Sequence, residues 1–202
     1  MRAWQPAPCP LDSALRGSRA ARKGLTLVEL ALVLAIVGVV AGIAAPYAYS
    51  AQFQSDAAAR RLLVTLMAAE RMAVARQHDV VVSFDTAGHT IRTLEDQDGD
   101  GRVDPGERVV WHPLGDNAYF VTPPSGLAGS ASAPVVGASV AQVDSMASVI
   151  FRRNGAASTD LEVYVGAAAA GHWFYRAVAV TQATGRPAWY RWLGDRWNDG
   201  SL

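Results

Sequence analysis

The chain has 202 residues, 18 basic and 18 acidic side chains, a formal net charge of +0 and a hydrophobic fraction of 50%. One cysteine, Cys9, excludes an intrachain disulfide framework. The charge balance argues against general nucleic-acid binding through bulk positive charge.

The first segment is basic, with Arg16, Arg19, Arg22 and Lys23 ahead of an apolar run from Leu25 to Ala45. As a helix that run is about 31 Å long at about 1.5 Å per residue, the thickness of a bilayer core. It is expected to be a single membrane span. The positive-inside rule keeps the residues before it in the cytoplasm and exports the remainder. Glu29 is the one ionisable residue in the run. A carboxylate at a helix centre costs about 2.5–3.5 kcal/mol on insertion scales, less one turn from the end, and intramembrane acids are functional by default.

The string Lys23-Gly24-Leu25-Thr26-Leu27-Val28-Glu29-Leu30 resembles the class III signal of type IV pilins and type II secretion pseudopilins. That resemblance implies cleavage between Gly24 and Leu25 by a prepilin peptidase and N-methylation of Leu25, where most relatives have phenylalanine. It also implies an assembly role for Glu29, which would pair with the free amine of a neighbouring subunit, since two buried opposite charges neutralise each other. Gly38 and Pro46 fall where the family places its glycine and its helix-bending proline. A secretory signal cut before Gln52, after Ala48-Tyr49-Ser50-Ala51, is disfavoured by the acid in the apolar run and by helical patterning beyond the cut.

The expected organisation is a leader over 1–24, a transmembrane helix over 25–45, an amphipathic continuation over 46–78 and a β-rich periplasmic domain over 79–202. In the continuation, Phe53, Ala57, Leu63, Leu66, Met67, Ala73 and Val74 recur at helical spacing and are expected to face the core. Asp56, Arg60, Arg61, Glu70, Arg71 and Arg76 fill other faces. From Val80 the period changes. Strands are predicted over Val80–Phe84, His89–Leu94, Arg108–His112, Ala118–Val121, Ser148–Arg152, Asp160–Val165, Trp173–Thr181 and Ala188–Trp192, with a hairpin at Asp85–Gly88. The uncharged Pro, Gly, Ser and Ala-rich stretch 122–141 is expected to be a long mobile loop. The fold class is α+β: one long N-terminal helix, transmembrane then amphipathic, packed on antiparallel sheet.

Asp96-Gln97-Asp98-Gly99-Asp100-Gly101-Arg102-Val103-Asp104-Pro105-Gly106-Glu107 fits the twelve-position EF-hand calcium loop. Asp96, Asp98, Asp100, Asp104 and Glu107 would supply carboxylates and Arg102 its carbonyl. The flanks read as strands and Pro105-Gly106 opposes an exiting helix, so an acidic hairpin tip of ordinary turn residues is the competing reading. No cofactor is required, and calcium is a candidate ligand.

Near the end, Phe151-Arg152-Arg153-Asn154-Gly155 and Thr184-Gly185-Arg186 resemble the C-terminal half of the GspH/FimT pseudopilins. The resemblance implies a minor pseudopilin of type II secretion, in the inner membrane, whose partners are other pseudopilins and the prepilin peptidase. Trp189, Tyr190, Trp192 and Trp197 interleave with Arg186, Arg191 and Arg196. That pattern is compatible with stacking and phosphate contacts, so DNA capture by a FimT-like minor pilin is the alternative. Among His78, His89, His112 and His172 there is no metal-ligand spacing, and no nucleophile elbow, phosphate loop or CxxC motif is present. Catalysis is not expected.

Overall fold

The computed structural model describes residues 26–200, with the backbone course alone over 44–49. One helix, α1 (Leu27–Arg76), leads into eleven strands: β1 (Asp79–Asp85), β2 (Thr90–Asp96), β3 (Arg108–Pro113), β4 (Tyr119–Phe120), β5 (Val135–Gly137), β6 (Ala141–Val143), β7 (Met146–Phe151), β8 (Leu161–Ala169), β9 (His172–Val180), β10 (Pro187–Trp192) and β11 (Trp197–Asp199). The chain divides between Gly42 and Ile43. The later part of α1 therefore belongs with the strands.

In the first unit the apolar side chains from Leu27 to Val40 are open to solvent, Leu27 at 85% exposure. Among the described residues no helix is long and apolar enough to cross a membrane. The expected span reaches outside that set, since Leu25 and the side chains of Ala44 and Ala45 are not described.

The strands form two antiparallel sheets rather than one. The first has the order β3-β2-β1-β7-β6; the second has β11-β10-β9-β8-β4, with β5 also paired to β8. Central β1 is buried on both faces, which is why its Val80-Val81-Val82 run does not alternate in polarity. Val80, Val82 and Phe84 enter the main core, while Val81 joins Leu94 and Val143 in a smaller cluster behind the sheet.

α1 packs into the main core through Ala58, Ala59, Leu62, Leu66, Ala69 and Ala73, all fully buried, with Ala51 and Ser55 buried one and two turns earlier. The stripe is thus rotated from the expected one. Phe53 is 69% exposed and Val74 43%, Ala57 is also exposed, and of the expected set Leu66 and Ala73 are fully buried. Alanine carries too little hydrophobic signal to stand out beside Phe53 and Val64.

Asp56 does not sit on a solvated face. Its Oδ1 accepts from Nε of fully buried Arg176 on β9 at 2.5 Å, and its Oδ2 lies 3.4 Å from Arg191 Nη2 on β10. Burial pulls the Arg176 pKa down, and the hydrogen bond and charge of Asp56 oppose that shift. At the other end of the helix, Arg76 pairs with buried Glu95 on β2, which also lies 3.6 Å from Arg108. Each sheet is therefore tied to α1 by its own ion pair.

The stretch 122–141 is not one uninterrupted loop. β5 and the start of β6 lie within it, and Gly126 and Gly129 form a bridge. The Trp197 indole N–H donates to the Ser125 carbonyl at 2.8 Å, and the Leu127 N–H donates to the Tyr164 hydroxyl at 2.9 Å. That hydroxyl in turn donates to the Glu162 carboxylate.

Asp56→Ala leaves Arg176 buried and without its carboxylate, so a loss of about 3–5 kcal/mol of stability is expected in denaturant unfolding. Arg176→Met is expected to cost less, because Arg191 still faces Asp56. Combining Arg176→Met with Asp56→Leu is expected to recover much of the loss.

Candidate functional site

Three regions carry the residues singled out from the sequence. At the head of α1, the Glu29 N–H donates to Thr26 Oγ1 at 3.2 Å and the Leu30 N–H to the Thr26 carbonyl at 3.1 Å. Thr26 is thus a helix cap with a glutamate three residues later, the spacing of a capping box. Threonine before a hydrophobic run with Glu at the third position is readable from sequence, and it fixes where the helix starts relative to Glu29. The Glu29 side chain is exposed. Gly24 and Leu25 lie outside the described residues.

The second region is the acidic turn between β2 and β3. Asp96 is buried at the end of β2; its Oδ1 accepts from Gly99 N–H at 2.7 Å and its Oδ2 from Gly101 N–H at 2.9 Å. Asp98 accepts from Asp100 N–H at 3.1 Å, and Asp100 from Arg102 N–H at 2.7 Å. Glu107 closes the loop, its two oxygens accepting from Gln97 N–H at 2.8 Å and Asp104 N–H at 3.1 Å. Gly99, Gly101 and Gly106 all have positive φ, and this folds the chain back on itself. Carboxylate oxygens of Asp96, Asp98 and Glu107 lie within 4.8 Å of one another, as do those of Asp98, Asp100 and Asp104. Asp98 belongs to both groups. Arg102 is exposed at the tip and donates its N–H to Asp100.

Crowding of these acids shows in their protonation. Burial pushes the Asp96 carboxyl up, against the Gly99 and Gly101 N–H groups that pull it down, and the Glu107 charge adds to the rise. Asp104 is raised as well, by desolvation first and then by the charges of Asp100, Asp98 and Glu107. The turn holds like charges close together, a geometry that a hard cation would relieve.

The third region is the terminal arginine and aromatic segment. Arg186 stands in the turn before β10 and Arg196 in the turn after it, so the length of β10, about 20 Å at about 3.3 Å per residue, separates them. Arg191 lies between them but pairs with Asp56, its guanidinium 5.9 Å over the Trp189 ring. The structure thus spreads these three cations along the strand, one of them engaged internally. Trp189 packs against the main core, while Trp192 and Trp197 lie 5.2 Å apart with Tyr164 beyond.

The glycine landmarks have a physical basis. Gly155 (φ 86) and Gly185 (φ 64) meet where the 152–156 turn passes the turn before β10. A Cβ on Gly185 would fall 2.0 Å from the Gly155 carbonyl oxygen. Neither turn can close over the other with a side chain there.

A single helix packed on antiparallel sheet, headed by a capped glutamate in a bare apolar run, is the plan of a pilin-like protein. Residues 19–45 match the prokaryotic N-terminal methylation motif, and residues 58–184 match the type II transport protein GspH family. The second match covers more than half of the chain, which belongs to the GspH family. The pilin-like protein PilA1 of Thermus thermophilus is 40% identical over 87 residues, 43% of this chain and 56% of that protein. The chain therefore spans little more than half the length of that relative. No solved structure matches.

A carboxyl raised in the folded state binds its proton more tightly there than in the unfolded chain, so its contribution falls as pH rises from its ordinary value, 3.8, through the folded value. With divalent cations chelated, Asp104→Asn is expected to raise the melting temperature at neutral pH. At pH values below the ordinary carboxyl value the two proteins are expected to melt together.

Proposed function

We propose that this chain is a minor pseudopilin, a structural subunit of a type II secretion pseudopilus taking part in protein export across the outer membrane. The observation that carries this reading is a helix whose head is apolar on faces that nothing among the described residues covers. Leu27, Leu30, Leu34, Val37 and Val40 are all more than half exposed, and in the second unit Phe53 at 69% and Val64 at 62% stand open beside exposed Arg60 and Arg61. Monomeric proteins rarely leave so much contiguous apolar surface open. Lipid would cover the first part before assembly, and neighbouring helices would cover both parts within a filament.

Under this reading a prepilin peptidase cuts between Gly24 and Leu25, and the chain is held in the inner membrane by a single span, its first residues cytoplasmic and its β-rich domain periplasmic. Glu29 pairs with the Leu25 amine of an adjacent subunit. The rival role, DNA capture by a type IV pilus, draws its support from Arg186 and Arg196; the separation of these two and the engagement of Arg191 by Asp56 weigh against a shared phosphate track. The family match points to an assembly subunit rather than an enzyme.

In a host strain carrying Glu29→Ala, the protein is expected to start at Leu25, as read by intact mass and N-terminal sequencing, yet to be missing from sheared filaments. Secreted proteins would accumulate in the periplasm while DNA transformation proceeds normally. The converse result, with transformation lost and export intact, would move the chain to the DNA-uptake role.

We also propose that the turn from Asp96 to Glu107 takes up calcium through its five carboxylates. The support is the convergence of acids at the positions an EF-hand loop uses, on a strand-to-strand turn rather than between helices. Calcium is expected to raise the melting temperature with the logarithm of its concentration once that exceeds the Kd, magnesium much less. Asp98→Ala, which removes the ligand oxygens common to both acid groups, is expected to abolish the calcium-dependent shift.

A further inference from the structure

The second sheet carries a file of aromatic rings that the assembly reading leaves unused. In register, Tyr119 lies across from Gly166, Gly166 across from Tyr175, and two residues along Ala168 lies across from Trp173. Residues opposite one another share a sheet face, and every second residue returns to it. These five therefore stand on the face away from Phe120 and Val165, which point into the core.

The rings form a continuous series. His89 and Tyr119 are 4.9 Å apart and edge-on at 84°, Tyr119 and Trp173 are 6.2 Å apart at 74°, and Trp173 stacks on Tyr175 at 6.2 Å and 23°. Contacts of this kind hold rings in fixed orientations. Gly166 and Ala168 keep the floor between them low; a Cβ on Gly166 would approach Val121 Cγ2 to 2.9 Å and the Trp173 ring to 3.5 Å. Despite this packing, Tyr119 remains 37% exposed and Trp173 42%. They are presented to solvent, not merely left over from the core.

A cleft of about 410 Å³ opens beside these two rings, lined by Ser50 and Gln54 from α1 together with Asn117, Tyr119, Ala168 and Trp173. Its size falls within the range of small-ligand sites, about 300–1,000 Å³. Asn117 has φ 53, a left-handed conformation that asparagine tolerates better than most residues. Among the described residues that line the cleft there is no Arg, Lys, Asp or Glu. The lining is thus aromatic faces, two carboxamides and two hydroxyls.

That combination selects a chemistry. A nucleic acid would find stacking surfaces but no cation for its phosphates, which dominate its binding. A purely apolar segment would bury the carboxamides of Gln54 and Asn117 without partners. A pyranose ring satisfies both sets of groups, because it presents a face of C–H bonds to an aromatic ring and a rim of hydroxyls to amide donors and acceptors. We propose that Trp173, Tyr119 and the adjoining cleft form a binding site for a neutral oligosaccharide, one sugar ring stacking on Trp173 and its hydroxyls bonding to Gln54 and Asn117. The site stands on the second sheet and the packed part of α1, and it does not depend on which filament the chain enters.

The test uses the full chain in an amine-oxide detergent, since sugar-headed detergents would compete. Chitotetraose and maltotetraose are titrated while tryptophan fluorescence and saturation-transfer NMR are followed. Saturable binding of at least one sugar in the millimolar range or tighter is expected. Trp173→Ala should weaken it about tenfold or more, and Gln54→Ala, which leaves every ring in place, several-fold without change in melting temperature. Trp111→Ala, which alters a tryptophan 50% exposed on β3 of the other sheet, should bind as the unaltered chain does. No saturable response to either sugar, or binding by the Gln54→Ala and Trp173→Ala proteins equal to that of the unaltered chain, would overturn the proposal. So would an oligothymidine that displaces the sugar from Trp173.

Discussion

The buried pair of Asp56 and Arg176 is the constraint around which the globular part is organised. A guanidinium with no exposed surface has to be matched, and its carboxylate comes from a helix far away in sequence. The match sets both the rotation of α1 about its axis and its position along the sheet. Once Asp56 points at β9, the face bearing Ala58, Leu62, Leu66 and Ala69 turns inward, and Phe53 and Val64 turn out. The Arg76–Glu95 pair repeats the device on the first sheet. One helix thus serves as the common wall of two sheets, while its outward side sets Phe53 and Val64 among the exposed Arg60, Arg61 and Arg71.

Much of this plan was legible in the sequence, for local reasons. The long helix, its apolar head and eight strands were announced by period, and Gly88 and Gly155 marked turns that exist. The elements that went unread are those whose stability comes from partners. β5 is three residues long and exists because β8 offers it an edge; in isolation Val135-Val136-Gly137 has no pattern to detect. The inward stripe of α1 was misread because alanine and serine do the packing. Asp56 and Arg176 are each ordinary surface residue types, and nothing local tells that they meet.

The same distinction governs the candidate sites. The acidic turn could be anticipated because its acids lie within a dozen consecutive residues; the folded chain gathers them into two groups of three that share Asp98. Interleaved arginines and aromatics proved a weaker guide. Whether Arg186, Arg191 and Arg196 form one patch depends on where turns fall and on which of them meets an acid from elsewhere. The aromatic file of Tyr119, Trp173 and Tyr175 was invisible for a similar reason: Tyr119 on β4 meets the two rings of β9 only across β8, at Gly166 and Ala168.

The bond from the Trp197 indole to the Ser125 carbonyl joins the last strand to a segment many residues earlier. β11 is held by a short pairing with β10, and the residues around Ser125 by that bond, the Tyr164 hydroxyl and a single bridge. Opening either piece breaks a bond held by the other, so the two are coupled in local opening. Amide protons at the tail and around residue 125 would then exchange at a common rate. A protease reaching either one would release both, leaving the helix and the two sheets intact beneath.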